Sequence, residues 1–238
     1  MLRTAALVTT ICLAVATTRA DATVLINNTT QGLYNSGIGD LATDAWMNDA
    51  TQNGNGGSAR MFPGANVSQG DPTATFLNAP NFSGAGVGIT TALGNWLTTP
   101  ATPGGSWTGL QAIPSGWTVN DETAIIYSLN SGFGLDNVIA SIGVDNGVFV
   151  WLDGVYIFGA TAPGTAVAGE YSVNLGNLSA GTHYLQILRA DHGGGTGWTI
   201  ETNGDVRGPD PNAEVPVPAT LLLLGTMLTG LGVARRRS

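Results

Sequence analysis

The sequence predicts an all-β protein, an antiparallel β-sandwich or jelly roll, with a cleavable N-terminal signal helix and one C-terminal transmembrane helix. Three observations support this prediction. Short runs rich in Val, Ile, Tyr, Phe and Trp alternate with Gly, Asn, Asp and Pro, as strands alternate with turns. No long helical period appears between the two ends of the chain. Both ends are apolar segments with arginine beside them, which is typical of targeting and membrane segments.

Residues 1–22 have the features of a secretory signal peptide. A basic start at Arg3 is followed by an apolar stretch and by the small-x-small sequence Ala20-Asp21-Ala22. We predict that signal peptidase cuts after Ala22, with a cut after Ala20 as the alternative. The single cysteine, Cys12, lies inside this segment, so the mature chain has neither a disulfide nor a cysteine nucleophile.

The predicted ectodomain spans residues 23–207. It opens with an edge strand, Thr23–Ile26, and continues to about residue 86 as long loops with short strands. The next stretch carries Trp96, Trp107 and Trp117, which either form a sugar-stacking platform or close one end of the sandwich. Seven further strands are predicted at Thr123–Leu129, Val138–Val144, Gly147–Leu152, Val155–Phe158, Glu170–Leu175, Thr182–Arg189 and Trp198–Thr202. Many short strands with frequent turns favour an antiparallel sandwich.

Two turns are predicted among these strands. Asp153-Gly154 is the strongest hairpin signal in the chain, because both residues tolerate the positive φ of a two-residue turn. The sequence Asp145-Asn146-Gly147 predicts a second tight reversal.

The run from Gly143 to Gly154, GVDNGVFVWLDG, together with Leu178–Leu185, LSAGTHYL, resembles the galactose-binding-like jelly rolls. The resemblance is good over residues 120–203 and loose over residues 23–119. It implies the fold more than the ligand, because such modules serve as sugar binders, enzyme appendages and structural units.

Strand alternation defines the first candidate ligand site. Val148, Val150 and Leu152 share the core face of their strand, whereas Phe149, Trp151 and Asp153 share the other. Either Trp151 and Asp153 are presented to a sugar, one stacking and the other accepting hydrogen bonds from hydroxyls, or the rings pack under the loops of the first half.

The loop Asp191–Gly197 is the second candidate. Its glycines let the backbone approach a ligand, so it either shapes a glycan site or is a long hairpin connection. The predicted glycan-binding residues are Trp151, Asp153, Asp191, His192 and Trp198. The same loop could bind Ca²⁺ with Asp145 or Asp136. Zinc is not expected, because the two histidines, His183 and His192, lack two further ligands at a recognisable spacing.

Composition excludes several function classes. All eight basic residues are arginine, and five of them lie in or beside the terminal segments, so no basic stripe for nucleic acid exists. The absence of lysine excludes P-loop and Schiff-base chemistry, and no Gly-x-Ser-x-Gly elbow is present. We therefore predict a protein that is not an enzyme. A polysaccharide hydrolase with two facing carboxylates is the alternative.

The C-terminal region is divided into a linker with a sorting motif (208–218), a transmembrane helix (219–234) and a cytoplasmic arginine cluster (235–238). Sixteen uncharged residues span roughly 24 Å as a helix, and snorkelling arginine stems extend that reach toward a bilayer core of about 30 Å. The terminal arginines hold this end in the cytoplasm. A buried helix of a soluble domain is disfavoured, because Leu221–Leu224 leave no polar face.

This tail resembles the PEP-CTERM sorting signal of Gram-negative bacteria, with Val217 at the position where that family usually has Glu. The matching residues are Val215, Pro216 and Pro218 before the span, and Arg235, Arg236 and Arg237 after it. The resemblance implies cleavage by an exosortase-type enzyme and release to the cell surface or the exopolysaccharide matrix. The sequence therefore predicts an exported surface or matrix protein that is structural or contacts exopolysaccharide. A secreted polysaccharide hydrolase and a permanently anchored surface protein are the alternatives.

Overall fold

The computed structural model describes residues 22–39, 74–75, 78–80, 87–119, 121–162, 164–191 and 195–209. A compact unit ends at Arg207, and a second unit begins at Gly208. The predicted signal peptide lies outside the described residues except for Ala22, and the sorting motif, the transmembrane span and the arginine cluster lie outside them entirely. Within the described residues, no helix has the length and apolar character needed to cross a membrane.

The described part of the compact unit contains ten strands and one short helix. In chain order these are β1 Thr23–Ile26, β2 Gln31–Gly39, β3 Ala74–Thr75, α1 Val87–Leu93, β4 Gln111–Ala112, β5 Glu122–Ser131, β6 Leu135–Leu152, β7 Val155–Ala162, β8 Tyr171–Leu178, β9 Gly181–Ala190 and β10 Gly197–Val206. The strands predicted from residue 123 onward are present, but Val138–Val144 and Gly147–Leu152 are parts of the single strand β6, and β8 begins one residue after the predicted Glu170. β2 is longer than the short strands expected in its region, and α1 was not predicted.

The strands form two antiparallel sheets that share β6. The first sheet has the order β1-β10-β6-β8, and the second has the order β2-β5-β9-β6-β7-β3, with β4 paired to the start of β2. The predicted all-β, antiparallel class is therefore confirmed. The edge position of Thr23–Ile26 is also confirmed, since β1 is the first strand of its sheet.

β6 passes from one sheet into the other without reversing. Its first part, up to Asp145, pairs with β8 and β10, and its second part, from Asn146, pairs with β7 and β9. The predicted tight reversal at Asp145-Asn146-Gly147 is therefore wrong. These residues form the corner at which the strand changes sheets, and such corners need a local bend.

The predicted Asp153-Gly154 hairpin is confirmed. Leu152 pairs with Val155, and the two turn residues have φ values of 51° and 79°. Two positive φ values in succession are typical of the turn whose twist matches that of the flanking strands. This turn places the Asp153 side chain at the end of the second sheet, beside β9.

Apolar side chains fill both faces of the second sheet. Val148 and Val150 of β6 belong to the core between the two sheets, whereas Phe149 and Trp151 belong to a second cluster on the outer face. The segment that contains α1, Trp96 and Trp107 covers that outer cluster. The described part of the compact unit is therefore layered as sheet, sheet and covering segment, which is why residues on both faces of the second part of β6 are buried.

Buried polar side chains hold the covering segment on the sheet. Asn35 Nδ2 of β2 donates a hydrogen bond to Ala92 O over 2.7 Å, and Gln186 Nε2 of β9 donates to Trp96 O over 2.6 Å. The backbone N–H of Thr108 donates to Tyr34 O over 2.8 Å. These bonds satisfy carbonyl groups that burial removes from water, and so they fix where the segment lies.

Candidate functional site

A groove of about 340 Å³ lies on the outer face of the second sheet, beyond the edge of the covering segment. β2, β5 and β9 form its floor, and the covering segment and the residues after it form one wall. Its lining residues are Leu33, Pro100, Ala101, Leu110, Ile126, Ser128, Asn130, Thr182 and Tyr184. Leu110 is 65% exposed, which makes it a prominent apolar group on the rim.

Strand register assembles the polar part of this groove. Ser128 of β5 pairs with Tyr184 of β9, and Asn130 pairs with Thr182, so the four side chains form a two-by-two array on one face. Thr182 Oγ1 donates a hydrogen bond to Asn130 Oδ1. Ser128, Asn130 and Thr182 are exposed and Tyr184 is half-buried. The array therefore presents hydroxyl and amide groups beside one aromatic ring.

The lining suits an uncharged, hydroxyl-rich ligand. None of the lining residues carries a charge, and Tyr184 and Ile126 provide an aromatic and an aliphatic surface. Ligand sites combine such apolar surface with a few polar groups that fix orientation. A sugar ring has the same two features, since its C–H groups stack on aromatic rings and its hydroxyls both donate and accept hydrogen bonds.

Trp151 lies in the buried outer cluster and is only 1% exposed. Its ring centroid is 5.1 Å from that of Trp96 and 5.5 Å from that of Tyr156, both in edge-on contacts. Of the two interpretations considered for this face of β6, the structure agrees with packing under the covering segment. The ring is closed off from any ligand at the surface.

The three tryptophans of the covering region do not form one platform. Trp96 and Trp107 stack with ring centroids 5.9 Å apart in the outer cluster, and Trp107 Nε1 donates to Leu93 O. Trp117 packs against the core between the sheets instead. Of the two earlier alternatives, the shared sugar-stacking platform is therefore wrong for these rings.

Asp153 is the one predicted glycan-binding residue with an exposed side chain among those the structure describes. Its side chain is 42% exposed, and Oδ2 lies 2.6 Å from His183 Nδ1. Its Oδ1 accepts a hydrogen bond from the backbone N–H of Tyr184. Asp153 therefore contacts the backbone of Tyr184, whose side chain lines the groove.

The other predicted glycan-binding residues do not join Asp153 at the surface. Asp191 is 0% exposed and Trp198 is 4% exposed, the latter in the core between the sheets. His192 lies outside the described residues. Trp151, Asp153, Asp191 and Trp198 thus form no single exposed surface, and their predicted role in glycan binding is not carried forward.

Trp198 belongs to an aromatic cage around a buried cation, Arg189. Arg189 Nε donates to Thr123 Oγ1 over 3.0 Å and Nη1 donates to Pro114 O over 2.9 Å. Three ring centroids lie within 5.5 Å of its guanidinium carbon, those of Trp117, Trp198 and Tyr34. Burial lowers the pKa of Arg189 to about 10. The three ring faces attract the guanidinium and so offset part of the hydration that it loses on burial. Arg189 is therefore a structural residue of the core.

Of the two carboxylates considered for calcium, Asp136 lies near the start of β6 and Asp145 lies at its corner. Roughly 30 Å of extended strand separates them, so they cannot share one ion. Asp136 forms an ion pair with Arg207, which lowers the pKa of the carboxyl group. Asp145 is 6% exposed, and burial together with the charges of Asp191 and Glu170 raises its pKa to about 6. Among the described residues, no three His, Cys, Asp or Glu side chains form a metal-binding group. Calcium binding at Asp145 remains a prediction.

The groove residues were missed at the sequence level, although a signal for them exists. Ser128 and Asn130 are two residues apart on β5, and Thr182 and Tyr184 are two residues apart on β9, so each pair faces one side of its strand. The sequence does not reveal that β5 and β9 are neighbours in this register.

No family model matches this sequence, and no curated protein sequence is significantly similar to it.

Proposed function

We propose that this protein is exported, held briefly in the inner membrane by its C-terminal segment, and then released to the cell surface or extracellular matrix. Two sequence features support the proposal. Residues 1–22 have the order of a signal peptide, and residues 215–237 have the order of a PEP-CTERM sorting signal. Signal peptidase and an exosortase-type enzyme are the processing partners that these segments imply.

We assign the ectodomain, within the all-β class, to the galactose-binding-like jelly rolls. Its two antiparallel sheets and the β6–β7 hairpin at Asp153-Gly154 support this assignment. The sequence of β9, in which Gly181 precedes Thr182 and His183, supports it as well. The fold by itself specifies no ligand, so the ligand is argued from the groove.

The proposed role of the ectodomain is to contact a neutral exopolysaccharide through the groove lined by Tyr184, Ser128, Asn130 and Thr182. The observation that carries this proposal is the two-by-two array that the β5–β9 register creates. Sparse charge along the chain also suits a protein that works among neutral polymers. An extended groove would accept internal segments of a chain, with Tyr184 stacking on one ring.

Binding of the full-length chain to purified host exopolysaccharide, measured by calorimetry, tests this role. Tyr184→Ala removes the aromatic surface and is expected to weaken binding about two- to twelvefold, from a stacking contribution of about 0.5–1.5 kcal/mol. Phe133→Ala is the matched control, because Phe133 is 54% exposed but lies outside the groove lining. Equal weakening by both variants, or no binding by the wild type, would refute the glycan role.

A further inference from the structure

Three side chains near the β6–β7 turn form an arrangement that the proposed glycan contact does not use. Ser179 lies on the turn between β8 and β9, His183 lies near the start of β9, and Asp153 lies on the β6–β7 turn. His183 Nδ1 is 2.6 Å from Asp153 Oδ2, and His183 Nε2 is 3.2 Å from Ser179 Oγ. A hydroxyl, an imidazole and a carboxylate in this order have the connectivity of a nucleophile, its base and the group that orients the base.

The carboxylate is held in place by the backbone. The N–H of Tyr184 donates to Asp153 Oδ1 over 2.8 Å, and the N–H of Asp153 donates to Tyr184 O over 2.9 Å. Asp153 is also fixed by its position in a two-residue turn, with φ of 51°. The carboxylate therefore cannot move far from the strand that carries His183.

That carboxylate determines which imidazole nitrogen faces the serine. With Nδ1–H donating to Asp153, the lone pair of Nε2 is available to accept the hydroxyl proton of Ser179. The backbone carbonyl of Ser179 lies 3.2 Å from the same Nε2 and would accept a hydrogen bond from the imidazolium that forms after proton transfer. The geometry thus supports both protonation states that a general base must adopt.

Exposure also agrees with a reactive site. Ser179 and its neighbour Ala180 are exposed on the turn, so a substrate can reach the hydroxyl. The His183 side chain is only 17% exposed, so it is shielded more than the nucleophile. The His183 side chain lies on the face of β9 opposite the groove, because Thr182 and Tyr184, which line the groove, flank it along the strand.

We propose that Ser179, His183 and Asp153 form a nucleophilic triad that hydrolyses carboxylic esters. The absence of a Gly-x-Ser-x-Gly elbow does not conflict with this, since triads on unrelated folds share geometry and not sequence. The activity goes beyond the proposed glycan contact and is an alternative to the expectation that the protein is not an enzyme.

The reaction proceeds in two balanced steps. Ser179 Oγ attacks the ester carbonyl as its proton passes to His183 Nε2; the bond to the alcohol oxygen then breaks, and the alcohol leaves with that proton. Water next attacks the acyl-serine, giving a proton to Nε2. The Oγ–acyl bond breaks, the acid is released, and Ser179 regains its proton. The sum is ester plus water giving acid plus alcohol.

The purified full-length chain should be tested with p-nitrophenyl acetate and with a fluorophosphonate probe, followed by peptide mapping. We expect the probe on Ser179, and an ester-hydrolysis rate that falls at least about 100-fold in Ser179→Ala. Asp153→Asn should lower the rate at least about tenfold while retaining the turn, because Asn tolerates positive φ and keeps an acceptor for the Tyr184 N–H. Circular dichroism and the melting temperature establish that each variant is folded.

Ser172→Ala is the matched control, because Ser172 is exposed on β8 within the other sheet and should leave hydrolysis unchanged. No probe on Ser179 in the folded wild type would overturn the triad, as would a folded Ser179→Ala that hydrolyses the ester at the wild-type rate. The glycan role is judged separately, since Tyr184→Ala alters polysaccharide binding without removing any member of the triad.

Discussion

Replacing Asp145 with Asn tests the electrostatics of the corner where β6 changes sheets. Asp145 Oδ1 is buried and has no hydrogen-bond partner among the described residues. Burial is the main cause that raises the pKa of this carboxyl group from 3.8 to about 6, and the charges of Asp191 and Glu170 add to it. The ionised carboxylate is therefore unfavourable in the folded protein, and a neutral amide of the same shape removes that cost.

The sign of the effect follows from proton linkage. Because the folded-state pKa lies above the unfolded one, the folded chain retains a proton on Asp145 between about pH 4 and pH 6. This retained proton stabilises the folded chain: its contribution to the free energy of unfolding is fully present below pH 3.8 and is lost as the pH rises through about 6. A shift of about two units sets an upper limit of about 3 kcal/mol. Partial screening by water reduces this to about 1–2 kcal/mol.

We therefore expect the free energy of unfolding of Asp145→Asn to be about 1–2 kcal/mol higher than that of wild type at pH 8, and equal to it at pH 4. Urea unfolding followed by tryptophan fluorescence, with a chelator present, measures both values. Asp136→Asn is a control of opposite sign, because the ion pair with Arg207 lowers the pKa of Asp136 and the substitution removes a favourable interaction. An Asp145→Asn variant no more stable than wild type at pH 8 would refute the reasoning.

Three further sets of substitutions test the packing by urea unfolding. Trp151→Ala should cost about 3–5 kcal/mol, because it empties the centre of the buried outer cluster; a cost below about 1 kcal/mol would mean that the ring is accessible. Arg189→Ala should cost about 3–5 kcal/mol and Arg189→Met distinctly less, since Met refills the cage without a buried charge; equal losses would contradict the cage. Gly154→Ala should destabilise the protein more than Gly104→Ala. Both glycines have positive φ, but only at Gly154 would the added methyl group lie 2.3 Å from Leu97 O. Equal losses of stability would indicate that the backbone shifts at that position.

The strands of the second half could be predicted because their signals are local. β5 and β9 are short runs rich in Ile, Leu and Tyr, and turn residues lie at both ends of each, so each strand can be predicted from its own sequence. The Asp153-Gly154 turn can be predicted from local sequence for the same reason, since both residues accept positive φ.

The path of β6 could not be predicted, because its corner is decided by distant partners. Asp145-Asn146-Gly147 has the composition of a turn, but Asp145 pairs with Gly197 of β10 while Gly147 pairs with Ala190 of β9. Because of these pairings, the first part of β6 belongs to one sheet and its second part to the other. Local turn propensity is overridden wherever such long-range pairing is satisfied on both sides.

The burial of Trp151 was also beyond local reasoning. The alternation of side chains along a strand correctly assigned Trp151 and Val150 to opposite faces of β6, but it could not show that both faces are covered. The cover depends on contacts between residues far apart in sequence, such as the hydrogen bond from Gln186 to Trp96 O. The Ser179, His183 and Asp153 arrangement was missed for the same reason, because three separate turns and strands bring it together.

Intact-mass analysis of the protein recovered from membrane and medium tests the central proposal most directly. Export and sorting predict that the released chain begins at Thr23 and ends between Val215 and Pro218. A membrane form that begins at Thr23 and still ends at Ser238 would identify a permanent anchor instead of release. A cytoplasmic chain that retains both Met1 and Ser238 would contradict export altogether.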